Sequence, residues 1–167
     1  MKKIIIGLFI FMVTAVFINE KEELLIPDDA IRFRVIANSD SKEDQNLKLQ
    51  VKEDVEKELY KLVSNVKTIE EARTIIENNL DKVDSILKEY NVDYDISYGN
   101  NYFPKKTYKG IEYDEGLYES LVITVGSGLG ENWWCVLFPP LCLLDSQENL
   151  EDTEYEFYAT KLINKFK

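Results

Sequence analysis

Histidine is absent from all 167 residues. That removes the side chain most used for proton transfer near neutral pH and the commonest zinc ligand. A Ser-His-Asp or Cys-His centre cannot be assembled within one chain. Cysteine is nearly as scarce, at two residues, and no Asp-x-Asp-x-Asp-Gly calcium loop occurs, so no metal signature remains and no cofactor is expected. Positive charge is in short supply as well: 20 Lys and Arg stand against 31 Asp and Glu, a net charge of −11. Without Lys2 and Lys3 of the leader the balance is −13. So acidic a chain repels phosphate backbones and anionic headgroups, because binding them depends on neutralising cations, and nucleic acid is not an expected partner. Paired carboxylates could still do hydrolytic work if held several Å apart with separated pKa values. Among 31 of them, no pair stands out by spacing.

What is present begins with "MKKIIIGLFIFMVTAVFINEKEELL". Two lysines precede 15 uncharged residues, Ile4 to Ile18, and Glu20, Glu22 and Glu23 follow. A basic start, an apolar stretch and an acidic continuation read as an export signal. The stretch is short against the roughly 20 residues needed to cross a bilayer, yet long enough for a thin anchor. No small-x-small site ends it and no cysteine follows to take a lipid, so cleavage and retention both stand. A buried helix of the domain is the third reading, opposed by the lack of any polar face.

The remainder has the composition of a folded protein, 45% hydrophobic and 31% charged, and a length suited to one core. After a charged linker ending near Pro27, "IRFRVIAN" alternates as a strand. "SDSKEDQ" supplies caps, with Ser41 three residues before Asp44, for a helix from about 42 to 65 carrying Leu47, Val51, Val55, Leu59 and Leu62. Thr68 and Glu71 form a capping box ahead of a second apolar stripe, with a break expected near Asn78 and Asn79. "VDYDISY" alternates again, and its Asp93 and Asp95 match Arg32 and Arg34 in spacing, which predicts neighbouring strands with paired charges. A strand broken by Pro104, a turn at Asp114 to Gly116, a strand burying Leu121, Ile123 and Val125, and a last strand "NWWCVLF" complete the domain. The tail "DTEYEFYATKLINKFK" fits an amphipathic helix bearing Tyr155, Tyr158, Leu162 and Phe166. The order implies an α+β two-layer sandwich: a mostly antiparallel sheet of about five strands with a helix pair on one face.

Three features invite a chemical reading. "GSGLG" resembles a phosphate loop, but such a loop must open a helix, and this one opens a β-rich run closed by two prolines, so a flexible hairpin connection is the expectation. Cys135 and Cys142 flank Pro139 and Pro140, which would reverse the chain and bring the thiols within bridging range. Two buried free thiols or a redox pair are the alternatives, although the spacing is not that of a Cys-x-x-Cys motif. Finally, Trp133 and Trp134 are adjacent in a strand and point to opposite faces. One enters the core under the helices. The other needs a cover from the carboxy-terminal helix, or else lies open beside Pro139 and Leu141 as a docking spot.

Two segments, "IRFRVIANSDSKEDQNLKLQVKEDV" (31 to 55) and "GLYESLVITVGSGLGENWWCVLFPPLC" (116 to 142), together resemble the stage II sporulation protein R family of endospore-forming bacteria. The intervening "YGNNYFPKKTYKG" also fits, so the resemblance spans about residues 30 to 144. The family pattern often carries histidine where this chain has Arg34 and proline where it has Lys42. The resemblance implies a signalling protein and not an enzyme. It would be exported across the forespore membrane into the septal intermembrane space, where a membrane-embedded aspartic protease of the mother cell needs it to process the sigma-E precursor. On that reading residues 1–18 are a signal peptide or membrane anchor, 19–29 a linker, 30–144 the α+β signalling domain and 145–167 a tail. Membrane contact would run through residues 4–18 if they are retained. The partner-binding residues would be Asn38, Ser39, Asp40, Asp44 and Gln45 at the first strand-to-helix junction, and Asn132, Trp133 and Trp134 after the glycine turn. For the first five, helix capping is the alternative. An exported carboxylate-dependent hydrolase of the envelope and a septal scaffold without signalling are the rival functions.

Overall fold

The computed structural model describes residues 29–108, 111–142 and 161–165. The leader, most of the linker and most of the tail lie outside the described residues. Strand β1 (Ile31–Ile36) starts the domain, with Ile31, Phe33 and Val35 fully buried. Helix α1 (Lys42–Val63) begins where expected: the Ser41 side chain accepts the Asp44 backbone N–H, and Glu43 and Asp44 sit where the amino-terminal dipole favours negative charge. Its buried stripe, Val51, Val55, Leu59 and Val63, advances by four residues per step and faces the sheet.

The second helical stretch breaks at the asparagines. Helix α2 (Ile69–Glu77) is capped by Thr68, whose side chain accepts the Glu71 N–H, while the Glu71 carboxylate reaches back to the Lys67 N–H at 3.1 Å. Helix α3 (Leu80–Glu89) follows after Asn78 and Asn79, and the Asn79 amide donates to the Ile75 carbonyl at 2.7 Å, occupying an acceptor that the helix end leaves free. Strands β2 (Tyr94–Phe103), β3 (Lys106–Tyr108), β4 (Ile111–Tyr113), β5 (Gly116–Val125) and β6 (Asn132–Phe138) complete the order.

The main sheet has four strands in the order β2-β5-β1-β6, and β3 and β4 form a separate two-stranded ribbon. Strands β1 and β5 run parallel, while β1–β6 and β2–β5 are antiparallel. One core unites Val51, Val55 and Leu59 of α1, Ala72 and Ile76 of α2, and Val83 and Leu87 of α3 with the inward residues of β1, β5 and β6. The architecture is the expected α+β arrangement, with α1, α2 and α3 packed on one face of the sheet; residues 161–165 of the tail are helical as well.

Two expectations are corrected. Strand β2 does not adjoin β1, because β5 lies between them, so Asp93 and Asp95 stand two strand spacings, about 9–10 Å, from the arginine strand. The physical reason is burial. Ser120, Leu121, Val122 and Ile123 of β5 are consecutive buried residues, and only a central strand is covered on both faces. The arginines lie on aromatic rings instead: the Arg32 guanidinium is 3.3 Å from the Tyr118 ring centroid, and that of Arg34 is 5.4 Å from the Phe103 centroid. The second correction concerns the glycine turn, which is not a hairpin connection. Strands β5 and β6 are not paired, and residues 126–131 cross over the carboxy-terminal end of β1 to reach its far side.

Candidate functional site

The polar residues singled out in the sequence converge where β1 hands over to α1. The Asn38 side chain bonds in two directions. Its oxygen accepts the Ser127 backbone N–H at 2.9 Å, and its amide donates to Asp44 Oδ2 at 2.9 Å. The Ser39 hydroxyl donates to the same carboxylate oxygen at 2.5 Å. These bonds, Ser39 first and Asn38 second, hold the Asp44 carboxyl below its usual pKa. Asp40 Oδ1 accepts the Glu131 N–H at 2.7 Å, and the Gln45 amide donates to the Ser39 carbonyl at 2.9 Å.

The other half of the clasp is backbone. Leu129 N–H donates to the Asn38 carbonyl at 3.2 Å and Gly130 N–H to the Ala37 carbonyl at 2.9 Å. Glycine is required at 130 by close approach, since a Cβ there would lie 2.6 Å from the Ser39 carbonyl carbon and 2.9 Å from the Ala37 Cβ. The motif pair "ANSD" and "GSGLGEN" is thus one unit, stitched across β1. All five residues of the first candidate set belong to it. Their side-chain bonds are largely internal to this unit; the side chain that caps the helix is that of Ser41, which accepts the Asp44 N–H, and the network extends well beyond that cap.

Lys48 is a member that sequence reasoning missed. It is 6% exposed, and its ammonium donates to Gln45 Oε1 at 2.6 Å and to the Glu131 carbonyl at 3.1 Å. Burial, foremost, pushes its pKa down. The spacing 41, 44, 45, 48 is one helix face, so the signal was available in the period.

Strand β6 leaves this clasp carrying the second candidate set. Asn132 pairs with Ile36, and its Oδ1 is buried with no hydrogen-bond donor among the described residues. Trp133 faces the helices, edge-on to Phe33 with centroids 5.7 Å apart and with the Lys52 ammonium 4.7 Å from its ring. Trp134 faces the other way, edge-on to Phe103 at 5.4 Å, with the Lys106 ammonium at 4.8 Å. Both indoles are partly exposed. The cover of the second tryptophan therefore includes the end of β2 and the start of β3. The structure groups Asn38, Ser39, Asp40, Asp44 and Gln45 with the start of β6, and it separates Trp134 from them by the thickness of the sheet.

Beyond β6 the chain reverses through Pro139 and Pro140, the Phe138–Pro139 bond being cis, and Cys135 and Cys142 are joined as a disulfide with Cα atoms 5.4 Å apart. Of the three states open to the thiols, the bridged one is present. A shallow cleft of about 570 Å³ opens beside the clasp, lined by Asp44, Leu47, Lys88, Asp93 and Tyr94 among others, and Lys88 is engaged by Asp84 at 2.5 Å. Among the described residues no three His, Cys, Asp or Glu side chains group as metal ligands, and no helix is long and apolar enough to cross a membrane.

Known proteins give two positive findings. The sequence model of the Stage II sporulation protein R family matches residues 27–148. Stage II sporulation protein R of Bacillus subtilis (strain 168) is 44% identical over 133 residues, which cover 76% of this chain and 59% of that protein. The match thus spans less than two thirds of the relative's length. No solved structure matches the chain.

Proposed function

Because the chain belongs to the stage II sporulation protein R family, it is a sporulation protein, and we propose that it works as an exported signal delivered by contact. In this reading it crosses the forespore membrane into the septal intermembrane space. There it binds the outer side of a membrane-embedded aspartic protease, which then processes the sigma-E precursor. The observation that carries the reading is β6. It lies at a sheet edge, presents one partly exposed indole on each face, and is held at one end by the clasp and at the other by the disulfide. Tryptophans so placed are typical anchors of protein contacts. A rigid strand also loses little conformational freedom on binding, so more of the contact energy is left for the partner.

Activation by contact requires unequal affinity for two states of the protease. A tenfold preference for the active state corresponds to about 1.4 kcal/mol and shifts its population tenfold. Co-expression of this chain with the protease and its precursor in a non-sporulating host is the test, with and without residues 1–18. Processing is expected only when the chain and its leader are both present. Processing that proceeds equally without the chain, or turnover of an envelope substrate by the purified protein alone, would overturn the reading.

A further inference from the structure

The free edge of β6 has a lysine beside it on each face, in a chain short of positive charge. Strand β6 ends the order β2-β5-β1-β6, so its only ladder is with β1 and no strand covers its other edge among the described residues. Open edges are usually protected by charge, proline or a bulge within the strand. "NWWCVLF" contains neither a charged residue nor a proline, and its one irregularity, with Leu137 as the extra residue opposite Ile31 and Arg32, falls at the far end from the tryptophans.

The cations sit beside the edge instead. On the helix face the Lys52 ammonium lies over Trp133 and pairs with Glu56 at 2.6 Å. On the opposite face Lys106 lies over Trp134, is exposed, and has no ion pair among the described residues. Arg34, directly opposite Trp134 in the ladder, donates to the Tyr102 carbonyl, and its Nε is buried without an acceptor.

We propose that the β6 edge receives an extended acidic peptide segment of a partner protein, added as a fifth strand to the sheet. Main-chain bonds would fill the open edge, as in other strand additions. Side chains of an added strand alternate between the faces, so two consecutive acidic residues put one carboxylate towards Lys106 and the other towards Lys52. The rest of this chain repels an acidic partner, but at physiological salt the Debye length of about 8 Å restricts the balance to the charges bordering the strand. The inference rests on the reading of β6 as a contact strand and adds the chemistry of what it contacts.

Both tryptophans of the chain lie in β6, so intrinsic emission reports on this strand without a label. The full chain is titrated with a blocked peptide of repeated Val-Glu-Glu-Val and with its Val-Lys-Lys-Val counterpart. A saturable emission shift is expected with the glutamate peptide alone, with at least tenfold weaker binding in Lys106→Glu. That variant should in turn bind the lysine peptide better than the unaltered chain does. Lys52→Ala, altering the opposite face, should also weaken the glutamate peptide and provides a second variant if the first folds poorly by circular dichroism. Absence of a saturable shift, equal response to both peptides, or affinity unmoved by either substitution overturns the proposal. A concentration-dependent shift without peptide would assign the edge to a second copy of the chain and overturn it equally. No protease enters this experiment, so its failure leaves the processing assay standing, and failure of processing leaves the edge chemistry intact.

Discussion

Replacing Gly130 with alanine isolates the clasp between the two motifs. Gly130 is not among the glycines with positive φ, so alanine brings no backbone strain, only a methyl group aimed at the Ser39 carbonyl and the Ala37 side chain. The Ser39 neighbour is main chain and cannot rotate away. Restoring an ordinary carbon contact from 2.6 Å requires the turn to lift by about 1 Å. Three bonds stretch in consequence: Gly130 to Ala37, Leu129 to Asn38, and Glu131 to Asp40. The bonds stretch and do not all break; at about 1 kcal/mol for the equivalent of one bond lost and about 1–3 kcal/mol for overpacking, the expected cost is roughly 2–4 kcal/mol. In urea this lowers the unfolding midpoint by about 1–2 M for a typical slope. Gly128→Ala is the control: its φ of +65° costs about 1 kcal/mol, and the atom its methyl meets most closely belongs to the Thr124 side chain. A Gly130→Ala midpoint within about 0.3 M of the unaltered chain, or one less affected than Gly128→Ala, would refute the clasp as a structural unit.

Three further outcomes follow from the same structure. Cys142→Ala, or reductant added to the unaltered chain, opens a loop of seven-residue separation and should cost about 2 kcal/mol, and identical melting with and without reductant would contradict this. The Tyr98 phenol is pushed up by burial first and by Glu119, to which it donates at 3.0 Å, so its contribution is complete below about pH 10 and falls as pH rises beyond it. Tyr98→Phe should make the alkaline limb shallower without abolishing it, because Tyr90 is raised by burial and Asp54; an unchanged limb in calorimetry would show the reasoning wrong. The Asp44 carboxyl is depressed, Ser39 being the main cause, so its contribution is present above about pH 4 and is lost as pH falls through the lower folded value. Asp44→Asn should therefore differ most from the unaltered chain near neutrality and converge with it in acid. Processing should decline only as far as the loss of stability explains, and abolished processing with unchanged melting would make Asp44 a contact residue instead.

The helix starts were legible because they are local. Ser41 with Asp44 and Thr68 with Glu71 lie within one turn, and the Asn78–Asn79 break rests on propensity alone. The reversal between Cys135 and Cys142 was legible for the same reason, being written in two prolines. Strand order was not local. The equal spacing of Arg32–Arg34 and Asp93–Asp95 is met by any pair of strands with the right parity, and what decided the matter was which strand could be buried on both faces. The uninterrupted "SLVI" of β5 carries that signal, against the alternation that Leu121, Ile123 and Val125 present when read alone. The glycines of "GSGLG" announced backbone freedom without a destination, so the crossing over β1 appears only when Asn38 and Ser127 are seen bonded across 89 residues of sequence. The period places Lys48 on the helix face of Ser41, Asp44 and Gln45, but its burial is not legible there, because a helical lysine reads as solvated until its partners, Gln45 and the Glu131 carbonyl, are in place.

The division of labour within the site follows from where each bond is spent. Asn38, Ser39, Asp40, Asp44 and Gln45 point their donors and acceptors at one another and at the turn, so little of their polar surface is left to offer a partner. Trp133 and Trp134 bury only part of their rings against Phe33 and Phe103, and the remaining faces lie beside cations. A substitution in the first group should therefore act through the position and rigidity of β6, whereas one in the second should act on the encounter itself. Stability and binding need not move together. A strand fixed at both ends before its partner arrives has already lost its conformational entropy during folding, so whatever loosens either end weakens the encounter without touching the surface that makes it.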